Sequence, residues 1–142
     1  MQESKEPDKK PEQIQTPEQE KEMTLMELKN LICGTMEFTF EIGGGVEITL
    51  KELNQKELMD IDSKLQERGL KPDLSSTEYM SNMRVLKLVT AFKGISYNSK
   101  KITIDAPIEK LLWELGEGTI TGLYFKYEGV VSDKFNSVQK KN

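Results

Sequence analysis

The spacing of apolar residues changes period along the chain. Leu25, Leu28, Leu31 and Ile32 recur three or four positions apart, which marks one face of a helix. Thr24 followed by Glu27 fits a capping box at its start, and Gly34 is placed to end it, so the pattern predicts a helix over 24–33. From Met36 the period becomes two. Phe38, Phe40 and Ile42 alternate with Glu37, Thr39 and Glu41, and Val46, Ile48 and Leu50 alternate with Glu47 and Thr49. Such alternation predicts half-buried strands, and Gly43, Gly44 and Gly45 between them predict an antiparallel hairpin over 36–53. The triple glycine reads as a turn, because a phosphate loop needs a following helix and a strand follows here.

Helical spacing then returns. Asn54 and Glu57 form a second capping pattern before Leu58, Ile61 and Leu65, with Met59 beside the stripe and Gly69 and Pro72 at its end, giving a helix over about 55–68. Ser75 and Glu78 open a third helix over 76–93, with Gly94 as its expected stop. Its apolar residues, from Tyr79 to Phe92, cover more than one face, so it is central to a core or carries a second partner surface. The polar stretch 95–107, with Ile102 and Ile104 alternating, reads either as one more strand or as a loop. Asp105 and Pro107 signal a helix over 107–115, with Ile108, Leu111, Leu112 and Leu115 inward and Trp113 at the edge of the stripe. Thr119 is the expected cap of a last helix over 119–138, spaced by Ile120, Leu123, Tyr127, Val131, Phe135 and Val138. A strand competes over 122–131, where Leu123, Phe125 and Tyr127 also alternate, and helix is favoured. A hairpin followed mostly by helices predicts the α+β class: a small antiparallel sheet against a mostly helical C-terminal part.

Residues 1–22 belong to neither pattern. Met1 and Ile14 are their only sizeable apolar residues, Pro7, Pro11 and Pro17 interrupt any helix, and seven acids stand against four lysines. The expectation is a disordered acidic tail ahead of a single domain over 23–142. Composition then narrows the chemistry. The 142 residues contain no histidine and a single cysteine, Cys33. That removes the commonest general base, the commonest metal ligand and any disulfide framework. Cys33 reads as a small packing residue. Asp60 and Asp62 fall on different sides of their helix, and Ser96, Ser99 and Ser132 have no activating base. No enzyme activity, cofactor or metal is expected. A net charge of −4 offers no cationic surface for nucleic acid, and no apolar run reaches the roughly 20 residues that span a bilayer. The N-terminus has no apolar segment of the secretory type, so the expected location is the cytoplasm.

Binding to protein remains. Seven methionines suit core filling or an adaptable groove, with core filling favoured. The apolar excess on the third and last helices singles out Leu88, Phe92, Trp113, Leu123, Tyr124, Tyr127 and Val131 as candidate partner-binding residues, on a client or on a second copy.

The run FTFEIGGGVEITLKELNQKELMDIDSKLQERG resembles the opening of phage tail assembly chaperones: a hairpin ending in a phrase like ITLKEL runs into a capped helix like NQKELMDI. Helical regions such as MRVLKLVTAF and IEKLLWELGEGTITGLYF then follow, so the resemblance covers about residues 36–135, in pattern and order. It implies a holding chaperone in the host cell cytoplasm that keeps the long, hydrophobic, helical tape measure protein soluble during tail assembly. It also implies contact with the tail tube protein. The acidic tail and the 24–33 helix go beyond the family pattern. Alternatives are a structural tail or baseplate component retained in the virion, and a small acidic secretion-type chaperone or adaptor. The lysines and asparagine at 140–142 are compatible with a slippery reading frame, and the resemblance implies a longer, frameshifted product.

Overall fold

A computed structural model of the chain describes residues 20–33 and 37–141. The expectations for residues 1–19, Gly34, Met36 and Asn142, and for the side chains of Cys33, Phe135 and Val138, lie outside what it describes. The chain divides into two compact units, Met1–Thr35 and Met36–Asn142.

In the first unit, helix α1 spans Leu25–Cys33. The capping box forms as the sequence predicts. The Glu27 N–H donates to Thr24 Oγ1 at 3.0 Å, and the Thr24 N–H donates to Glu27 Oε1 at 2.9 Å. The Thr24 backbone N–H bonded to it, and next the Thr24 side chain, hold the Glu27 carboxyl below its ordinary value.

The second unit is α+β. Strands β1 (Glu37–Gly43), β2 (Val46–Lys51), β3 (Phe92–Tyr97) and β4 (Lys100–Ile102) form one antiparallel sheet in the order β1-β2-β3-β4. Helices α2 (Gln55–Glu67) and α3 (Thr77–Ala91) lie between β2 and β3 in the chain. Helices α4 (Ile108–Glu114) and α5 (Glu117–Lys141) follow β4. The register pairs Phe40 with Ile48 and Ile48 with Ile95, so the apolar sets of three strands share one face, against which α3 and α5 pack. The other face carries Thr39, Thr49, Ser96 and Lys101, with Thr39 and Thr49 hydroxyls 3.1 Å apart across the strands.

Both hairpin turns need left-handed backbone. Gly43, Gly44 and Gly45 have φ of 130°, 60° and 80°. A Cβ on Gly45 would stand 2.5 Å from Asn98 Oδ1, while the Asn98 N–H donates to the Gly45 carbonyl at 2.9 Å. The glycine therefore also lets the two turns touch. Asn98 and Ser99, at φ 48° and 67°, make the two-residue turn that joins β3 to β4. The stretch left open between strand and loop thus holds a second hairpin.

The helix boundaries differ from expectation at three places. Ser76, not Ser75, caps α3: its Oγ accepts from the Tyr79 N–H at 3.2 Å, whereas Ser75 is tied to Asp73 Oδ1. Gly94 does not end α3. The helix stops at Ala91, Phe92 is already extended, and Gly94 pairs with Thr49 inside β3. Thr119 does not cap α5, which starts at Glu117 and runs through 122–131 as helix. The α2 boundaries follow the sequence closely. Asn54 and Glu57 form a complete capping box, and Gly69 at φ 75° closes the helix with N–H bonds from Gly69 to Gln66 and from Leu70 to Leu65.

The main core joins Ile48 and Leu50 of β2, Val85, Leu88 and Ala91 of α3, Leu112 of α4, and Ile120, Leu123, Tyr124 and Tyr127 of α5. A second cluster joins Ile61 and Leu65 of α2 to Leu86 of α3. Helix α3 is apolar on more than one face because it serves both clusters.

Tyr127 anchors α5. Its hydroxyl donates to the Lys51 carbonyl at 2.6 Å, and its ring is almost wholly buried. Burial first, then the negative charges of Glu128 and Glu52, hold its phenol proton above the ordinary value of 10.0. The unfolded chain releases that proton more readily. The contribution is therefore complete below about pH 10 and falls as pH rises beyond it. Tyr127→Phe is expected to cost about 1–2 kcal/mol at neutral pH. It is also expected to flatten the alkaline loss of stability, which denaturant titrations at pH 8 to 11 measure.

Candidate partner-binding surfaces

Of the seven residues singled out for partner binding, four are core. Leu88 is 0 % exposed, and Leu123, Tyr124 and Tyr127 are also buried. Phe92 and Val131 are half-buried and pack against the same cluster. Only Trp113, 44 % exposed, faces solvent. The correction has a simple cause. The apolar excess on α3 and α5 is used mainly by the two clusters and by the sheet, while Phe125 of α5 stays exposed.

The exposed apolar side chains lie elsewhere. On α1, Leu25, Met26, Leu28, Leu31 and Ile32 are 45–84 % exposed, and none belongs to either core cluster. Among the described residues, the Leu25–Leu28–Leu31–Ile32 stripe forms an exposed ridge on a capped helix. Its periodicity was legible, but periodicity does not say whether a stripe is covered.

A second exposed group surrounds Arg84 on α3. The guanidinium carbon lies 5.5 Å from the Phe125 ring centroid and 5.8 Å from that of Tyr124. Tyr124 and Phe125 meet edge to face, with centroids 5.6 Å apart, and Phe125 is 58 % exposed. Arg84 Nη1 donates to Thr121 Oγ1 at 3.4 Å. Nearby, Trp113 donates from Nε1 to Glu109 Oε2 at 3.1 Å, and the same oxygen pairs with Arg68 at 3.2 Å. The Trp113 bond, with Arg68 helping against partial burial, holds the Glu109 carboxyl below its usual range. Trp113 is thereby fixed while its indole remains accessible. Sequence reasoning missed Arg84. Its signal was a lone arginine inside the apolar run from Met80 to Val89.

Among the described residues, no group of three histidine, cysteine, aspartate or glutamate side chains could hold a metal ion. No helix among them is long and apolar enough to cross a membrane. No family model, curated protein or solved structure matches the chain.

Proposed function

We propose that the protein is a non-enzymatic holding chaperone for a long, apolar, helical client, of the kind that keeps a phage tape measure protein soluble before the tail tube forms. The observation that carries this reading is the ridge on α1. A short capped helix that keeps four aliphatic side chains in water gains by covering them, and another amphipathic helix has the matching shape. The rest of the chain suits such a role. The net charge of −4 keeps a complex with an apolar client soluble, and the chain has no histidine for acid–base work.

The test is to dilute a tape measure protein out of denaturant with and without the full chain and follow light scattering. The reading expects scattering to fall in proportion to added chain and to vanish near a fixed stoichiometry. Undiminished scattering at a several-fold molar excess of chain contradicts it.

A further inference from the structure

Helices α3, α4 and α5 meet around a cavity of 160 Å³, whose lining includes Leu112, Ile120, Trp113, Arg84, Thr121 and Glu117. Its size limits what can enter. A cavity of about 150 Å³ holds one benzene-sized group, whereas small-molecule and cofactor sites usually enclose roughly 300–1,000 Å³. The space is right for one side chain.

Its charge limits the occupant further. Lys51, Arg68, Lys87 and Lys134 each lie within 4.0 Å of a carboxylate. Arg84 has no such neighbour among the described residues, although Glu117 lines the same cavity. The Arg84 guanidinium is held against two aromatic rings, and among the described residues it is bonded only to Thr121, with its Nε buried without an acceptor. A partly desolvated cation with spare donors is completed by an anion, and a planar carboxylate fits a guanidinium best. Arginine beside exposed tryptophan and phenylalanine is also the composition of a peptide anchor point.

We propose that this cavity is an anchor site for a segment of a protein partner. One leucine-sized side chain enters between Leu112, Ile120 and Trp113, and a neighbouring carboxylate on the same segment pairs with Arg84. The proposal rests on the reading of the chain as a client-binding protein and adds the chemistry of one contact: an acidic residue beside an aliphatic one. It is separate from the α1 ridge, which has no charge requirement.

The test uses the full chain and a capped dodecapeptide with one leucine flanked by glutamates and alanines elsewhere. The readouts are the NMR signals of the Arg84 Nε–H and of the Trp113 indole N–H, the latter unambiguous because the chain has a single tryptophan. Both signals are expected to shift and saturate with this peptide. Replacing the peptide's glutamates by lysine, or its leucine by alanine, should weaken binding at least tenfold. Arg84→Gln should erase the preference for glutamate over lysine, and Arg84→Lys should keep part of it. If Arg84→Gln does not fold, Arg84→Lys and the wild-type discrimination decide the matter. No shift at millimolar peptide overturns the proposal. Equal binding of the glutamate and lysine peptides does too, as does a shift that appears only when the chain associates with itself. Loss of this discrimination with client holding intact removes the anchor site alone. Loss of client holding with discrimination intact removes the chaperone reading alone.

Discussion

Replacing Leu88 by alanine is expected to destabilise the second unit by about 3–5 kcal/mol, the upper part of the range for large-to-small core changes. For a unit of this size that lowers Tm by roughly 10 °C or more. The magnitude follows from its position. Leu88 is fully buried in the cluster that joins β2, α3, α4 and α5, so the missing methyl groups leave a cavity that no single element can close. Leu88→Glu should prevent folding altogether, since no cation lies in the cluster to pair with the charge. Equilibrium denaturation of Leu88→Ala measures the effect. A loss below 1 kcal/mol would contradict the core assignment and return Leu88 to the surface where its spacing had suggested it.

The opposite behaviour is expected on α1. Leu28→Glu combined with Leu31→Glu removes two exposed side chains from the ridge on α1. Tm should stay within about 1–2 °C of the parent, since surface changes away from structural features usually cost little. Client holding should weaken by a factor on the order of 100, because two anchors at about 1–2 kcal/mol each are lost. Light scattering of the client and a thermal melt of the same samples separate the two effects. A large drop in Tm would mean that the ridge is structural. A normal melt with normal holding would place the client elsewhere.

The burial of Leu88 and the exposure of Leu28 were not legible in their spacing. Period and caps located elements well. Thr24 with Glu27 and Asn54 with Glu57 form their boxes, Gly69 closes α2, and the alternation over 38–50 gives β1 and β2. These signals are local, so a linear pattern contains them. What covers an apolar stripe is not local. Leu123 and Leu28 sit in equally plausible helical stripes, yet one is buried and the other is 45 % exposed. The difference arises from which elements pack together. Helix α3 was expected to be central to a core or to carry a second partner surface, and its residues enter both clusters. The β3–β4 hairpin was half legible. Asn98 suits left-handed backbone, but Ser99 tolerates it poorly compared with glycine, so the turn signal was weak. Phe92 and Gly94 were misassigned because a helix that passes straight into a strand leaves no loop composition to mark the change. Arg84 escaped notice because its significance lies in its place against the Tyr124 and Phe125 rings beside a cavity, which depends on the fold.

On the proposed function, α1 is the element that contacts the client. Hydrogen exchange of the full chain, free and in complex with a tape measure protein, tests it most directly. Amides of 25–33 are expected to exchange rapidly in the free chain, because a nine-residue helix with an uncovered apolar face has little to hold it closed. In the complex they should become protected by at least tenfold. Amides of β2 and α3, already protected by the core, should change little. A stable complex in which 25–33 exchanges as fast as in the free chain would contradict the claim.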